Sequence, residues 1–324
     1  MPRKLFSRQK RFKNIKNDKK IIIASLLLLT MAFPVFAQDS TVIAETNEIT
    51  AEDLEIKEPN LLPDSPFYFL KEGWRKAREI FTFNNIKKTE LKERFSAERL
   101  IELRKMAAQD AEAKILEKAT DNYQREKKQI EERIMAMEGN ADENPEINKF
   151  MEKFTRQQIL HQQILEKLES QVPAKVMEKI QEQRQEHLNQ FKEVMLKLEN
   201  KENIPEKLEK ALDTIEEGEF GGIKKMEFFQ EMKEIMPEEI QEKFKEKEER
   251  QIEAFKEKLE EMPEETQKKF QKFIEEIPVQ EQRQLQILEK VKMRLEESGL
   301  KEEMNLRLKA KTQTGNQNQP LPQE

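Results

Sequence analysis

The sequence predicts an all-α protein, built as an elongated array of antiparallel amphipathic helices. Three observations carry that prediction. Charged residues make up 38% of the 324 positions and hydrophobic ones 36%, with only 7 glycines. That is the balance of long helices with thin apolar stripes rather than of a thick-cored globule. Apolar residues recur at spacings of three and four over long stretches, which marks one face of a helix. Prolines then punctuate the second half at intervals of 28, 32, 32, 26 and 15 residues, several followed by acids that suit a helix start.

The first element is not part of that array. Met1 to Lys20 holds nine basic residues and one acid, and Ile21 to Ala37 is a 17-residue apolar run containing Pro34. A basic segment, an apolar segment and a small-residue stop form a secretory signal. The run is shorter than the roughly 20 residues a spanning helix needs, and small residues place the cut between Ala37 and Gln38. The competing reading keeps the run as an uncleaved anchor, with its basic flank inside. Both put the body of the protein outside the cytoplasm. Cleavage takes the formal charge from −6 to −14, which gives no overall electrostatic drive toward nucleic acid or an anionic membrane surface. The absence of cysteine excludes disulfide staples and thiol chemistry.

Residues 38–60 are acidic, lack a helical stripe and read as a flexible linker. Leu61 to Lys71 then opens a helix. Ser65 is suited to N-capping and Pro66 to the first helical position. Phe67, Leu70, Trp74, Ala77 and Phe81 follow at spacings 3, 4, 3 and 4. A helix this short is not stable alone, so its Trp74 face is expected to fold back on the next helix. That second helix is expected to be long, about 86–138, on a stripe that includes Leu100, Leu103, Ala107, Ala111, Ile115 and Tyr123. Together 61–139 form an N-terminal helical hairpin domain.

The run Leu62-Pro63-Asp64-Ser65-Pro66-Phe67-Tyr68, with Leu70-Lys71, Phe81-Thr82-Phe83, Ala97-Glu98-Arg99-Leu100 and Glu102, resembles a bacterial domain of unknown function. The likeness covers roughly 61–107. It implies a helical fold and a place behind a signal peptide or membrane segment, and it implies no catalytic residues.

Gly139 to Asn144 breaks the chain. Pro145, Pro173, Pro205, Pro237, Pro263 and Pro278 each open a further helical segment across 140–311, as a degenerate repeat of single helices. Gly218, Gly221 and Gly222 read as a hinge, Gly299 as a C-terminal cap, and 312–324 as a disordered tail.

Candidate chemistry is sparse. His161 and His187 are the two histidines. Both lie on apolar faces either side of Pro173, and a hairpin there brings them to similar heights. They read as core-edge residues, with a two-histidine metal or pH site as the sharp alternative. The residues three before them, Gln158 and Arg184, are not the acids of a di-iron helix pair. Asn140, Asp142 and Asn144 mimic the start of a calcium loop, but Pro145 and Met151 stand where glycine and glutamate belong, so they read as a capping loop. Met135, Met137, Phe228, Phe229, Phe270 and Phe273 could serve a client-binding surface, and at helical spacing read as core. Phosphate loops, nucleophile elbows and zincin motifs are absent. The expectation is a non-enzymatic, cofactor-free extracytoplasmic scaffold or protein-interaction module of the bacterial envelope. Its partner would be a protein, with no nucleic acid, with membrane contact only through an uncleaved signal, and with self-association left open. The alternative is an ATP-independent envelope chaperone.

Overall fold

The computed structural model describes residues 48–215, 220–276 and 282–297. The Ala37–Gln38 junction, Gly218, the Ile277-Pro278 joint, Gly299 and the tail lie outside them. The protein is all-α. Among the described residues the helices are α1 (Tyr68–Ile80), α2 (Asn85–Ala108), α3 (Ala113–Met135), α4 (Pro145–Glu169), α5 (Ala174–Leu198), α6 (Ile204–Asp213), α7 (Gly221–Ile235), α8 (Glu238–Glu261), α9 (Glu264–Glu276) and α10 (Gln282–Glu297). None is long and apolar enough to cross a membrane.

The helix expected over 86–138 is two helices, α2 and α3, joined by residues 109–112. The stop is a Schellman turn. Asp110 sits at φ 52°, its N–H donates to Ala107 O at 3.1 Å, and Ala111 N–H reaches Met106 O at 3.0 Å. Asp is one of the few residues besides glycine that takes this left-handed position readily. The stripe runs through the break, because Leu100, Leu103, Ala107, Ala119 and Tyr123 are all buried.

The punctuating prolines open helices wherever they are described. Asn144 caps α4, its Oδ1 accepting from Glu146 N–H at 2.9 Å, and Pro145 takes the first position. Pro205 lies in the first turn of α6, and α5, α8 and α9 start directly after Pro173, Pro237 and Pro263. Asn140 Oδ1 accepts from Glu143 N–H at 3.1 Å, so the calcium-like sequence serves as a capping loop.

The contacts set the topology. Lys92 meets Gln129 and Arg99 meets Glu126, so α2 and α3 run antiparallel. Gln162 meets His187 and Thr155 meets Met195, so α4 and α5 do too. Beyond these hairpin pairs, α2 packs on α4 and α3 on α5. Two hairpins therefore lie face to face and close a four-helix core. α6 extends it, packing on α4, and Phe229 packs against Phe244 between α7 and α8, with ring centroids 4.9 Å apart and the rings tilted by 47°. A second cluster gathers Phe220, Ile223, Phe255, Phe270, Ile274 and Val291 from α7 to α10. Gly222 lies in the first turn of α7 rather than in a hinge, and a Cβ there would stand 2.9 Å from the Phe255 ring. It is glycine because α8 approaches so closely.

Residues 48–60, expected as linker, are a packed strap. Ile49, Ala51 and Leu54 are buried. Arg104 donates to Ile49 O, Lys105 to Pro59 O at 2.9 Å, Arg156 to Asp53 O at 2.5 Å and Gln157 to Leu54 O at 3.3 Å. Its acids gave it the composition of a linker, but the strap is held by three apolar side chains and by carbonyls that α2 and α4 satisfy. Leu54→Ala should therefore cost about 2–5 kcal/mol of stability in urea titration; a change near zero would return these residues to a linker.

Candidate functional site

The site begins with how α1 is held. Ser65 Oγ accepts from Phe67 N–H at 3.3 Å, and the helix starts at Tyr68, two residues beyond the Pro66 start the sequence suggests. Pro63, Asp64 and Pro66 form the turn before it. α1 then lies on α2 through its polar side. Glu102, buried on α2, accepts from Tyr68 Oη at 2.5 Å, Lys71 Nζ at 2.6 Å and Arg75 Nη2 at 2.8 Å. Arg75 also reaches Glu98 at 2.7 Å and Glu72 at 2.7 Å. Arg99 reaches Glu72 at 2.8 Å. The set continues to α3, where Arg133 binds Glu79 at 2.6 Å and Lys92 binds Glu79 at 3.2 Å and Glu126 at 2.8 Å. Arg75 is only 4% exposed, and a buried charge needs this many partners to stay ionised.

Protonation follows from the packing. Burial first, then the Glu102 charge, pushes the Tyr68 hydroxyl well above its ordinary range, so it stays a donor. Burial alone would raise Glu72, but Arg99 and Arg75 overcome it and hold its carboxyl below the usual range.

Docked this way, α1 turns its apolar side outward. This corrects the expectation that the Trp74 face folds back on the second helix. Trp74 is 67% exposed and Phe81 75%, with Phe67, Phe69, Leu70, Ile80 and Phe83 also exposed. The reason is chemical complementarity: the side bearing Tyr68, Lys71 and Arg75 matches acids already fixed on α2, and only one side of a single helix can face the bundle. A shallow groove beside the exposed side is lined by Trp74, Phe81, Arg78, Lys87, Arg94 and a lone acid, Glu90.

The other sequence candidates go inward. His161 and His187 do meet, with ring centroids 6.0 Å apart, but both are sealed in the four-helix core. His161 Nδ1 contacts Tyr123 Oη at 3.1 Å. His187 bonds Gln158 at 2.7 Å through Nε2 and Gln162 at 2.8 Å through Nδ1. Lys127 donates to Gln158 and to Glu93, the latter at 3.1 Å. Glutamines and a lysine thus surround the rings, and no group of three or more His, Cys, Asp or Glu able to hold a metal occurs among the described residues. Burial, and then the Lys127 charge, pushes both imidazoles well below their ordinary range. Of the proposed client-binding residues, Met137, Phe228, Phe229 and Phe270 are buried, Phe273 is half-buried, and Met135 is exposed.

Sequence reasoning missed the acid–base plate under α1. Its signal was present, because Tyr68, Lys71 and Arg75 share one helical face as surely as Leu70, Trp74 and Phe81 share the other.

Among known families, Domain of unknown function (DUF5667) matches residues 60–175, which contain α1 to α4 and the first two residues of α5. The expected likeness to a domain of unknown function thus holds and reaches well past 107. No curated protein and no solved structure matches the chain.

Two outcomes test this description. Glu102→Gln removes the charge that Tyr68, Lys71 and Arg75 share, at a cost of about 3 kcal/mol. Hydrogen exchange across 68–80 should then speed up roughly 100-fold while that of α4 and α5 holds; unchanged exchange in α1 would show that the plate does not hold it. The histidines set a pH response. Their folded pKa values lie below the ordinary 6.5, so below pH 6.5 the unfolded chain takes up protons that the folded chain refuses. Stability should fall by about 1.4 kcal/mol per pH unit for each ring. Urea midpoints between pH 7 and 5 should slope less for His161→Gln/His187→Gln than for the parent, and equal slopes would remove the histidines as the cause.

Proposed function

We propose that the chain is a non-enzymatic extracytoplasmic helical scaffold of the bacterial envelope, which docks through the outward face of α1 and displays the helical body to a protein partner. The observation that supports it most is that face. Contiguous large apolar side chains are rarely left open on a monomer and mark a contact site, and here a buried ionic plate holds them in place. The basic segment and apolar run of Met1–Ala37 support export, whether the run is removed or kept. The buried polar clusters bond chiefly among themselves and sit away from solvent, which favours a structural role over catalysis.

The chaperone alternative draws on the same exposed aromatics. It is weakened by the position of the methionines, since Met106, Met151, Met195, Met226 and Met232 all lie in the core instead of on an adaptable surface. Photo-crosslinking in cells separates the two, with a photoreactive residue in place of Phe81 on α1 or Met293 on α10. A small, reproducible set of products is expected for a scaffold. A broad population of unrelated exported proteins, growing under heat, would replace this reading with the chaperone.

A further inference from the structure

We propose that the occupant of the α1 face is an anionic lipid surface, so that α1 is an interfacial helix on which the body sits. This rests on the docking reading above and names what the face docks to.

Placed at 100° per residue, the outward apolar side chains of α1 and its C-cap form one continuous arc. The exposed Phe69, Ile80, Leu70 and Trp74, the half-buried Ala77 and the cap residue Phe81 span about 140° of the helix surface. Lys76 stands at one edge of the arc and Arg78 at the other, both exposed. The two acids of the helix are elsewhere. Glu72 and Glu79 lie on the inner side, in ion pairs with Arg75, Arg99, Lys92 and Arg133. An outer surface rich in Phe, Leu and Trp, edged with cations and free of acids, is what a helix lying in a bilayer interface requires. Aromatic side chains of this kind favour the headgroup level.

The groove next to the arc adds to the match. Arg78, Lys87 and Arg94 line it against the single Glu90. The chain as a whole has net charge −6, so this cationic rim runs against the overall sign and is local to the apolar face. Cations there would meet lipid phosphates at the depth where the aromatic side chains enter the acyl boundary.

A second copy of the chain suits the face less well. A two-fold pairing of α1 with itself places like surface on like surface. The arc contains no acid to answer the Lys76 and Arg78 of the other copy, whereas a headgroup layer supplies anions along both edges at once.

The test uses Trp74, the only tryptophan in the chain. Its emission reports on this face alone, and the apolar run 21–37 has no tryptophan of its own to confuse the signal. The full chain is titrated with phosphatidylglycerol–phosphatidylcholine vesicles and, separately, with pure phosphatidylcholine vesicles. The expected result is a blue shift with the anionic vesicles that weakens at about 1 M salt, where the Debye length falls to about 3 Å. Phe69→Ser/Phe81→Ser should partition at least about tenfold more weakly, from the lost apolar burial, with thermal unfolding unchanged because both side chains point away from the bundle. An unmoved Trp74 emission overturns the proposal. So does an equal shift with both vesicle compositions, or a shift that follows protein concentration without vesicles, which would mean a second copy. If the vesicles give nothing while crosslinking still yields a small set of products, the lipid surface falls and the scaffold stands. If the anionic vesicles shift the emission while crosslinking spreads over many exported proteins, the scaffold falls and the lipid surface stands.

Discussion

The Glu102 carboxylate fixes the orientation of α1, and much of the outer chemistry of this protein depends on it. Its three donors, Tyr68, Lys71 and Arg75, all come from one side of α1. A carboxylate this deeply buried is costly unless it is fully bonded, and no rotation of α1 keeps all three bonds. The helix is therefore locked about its own axis. Apolar burial alone would have turned it the other way, since the opposite side carries Leu70, Trp74 and Phe81. A few charge-assisted bonds thus leave several large side chains in the open.

A second polar set lies at the centre of the two hairpins. Glu93 on α2, Lys127 on α3, Gln158 on α4 and His187 on α5 are joined by bonds that cross between helices, and Tyr123 on α3 meets His161 on α4. An apolar core would tolerate sliding of one hairpin on the other. Bonds with fixed partners do not, because each shifted register leaves a buried polar atom unpaired. The set thereby selects one alignment of the hairpins, with α2 beside α4 and α3 beside α5. Lys127 also helps to keep the imidazoles neutral, since its charge opposes theirs.

Much of the fold was legible in the residues. Apolar spacing located the stripes of α2 to α5, and prolines located the starts of α4, α5, α6, α8 and α9. The height argument across Pro173 set His161 and His187 at similar levels on neighbouring helices and left open whether they meet. The break between α2 and α3 was hidden because Ala107, Ala111 and Ile115 keep helical spacing straight through it, and because Asp110 takes a conformation usually signalled by glycine. The strap was hidden because its hold on the bundle comes from backbone carbonyls, which have no sequence signature. The outward face of α1 was hidden for a different reason. Periodicity identifies two sides of a helix, and deciding which one docks requires the partner helix: Glu98 and Glu102 lie more than twenty residues further on.

The strap has a mechanical consequence. Residues 48–59 are the first described part of the chain, and they are clasped by Arg104 and Lys105 on α2 and by Arg156 and Gln157 on α4. A pull arriving from the N-terminal side is taken by this clasp before it reaches α1. The load falls on these bonds and on the buried Leu54 side chain, and they must give way before it passes further along the chain. Tension from upstream is thus delivered into the rigid pair of hairpins, and the ionic plate beneath α1 is spared.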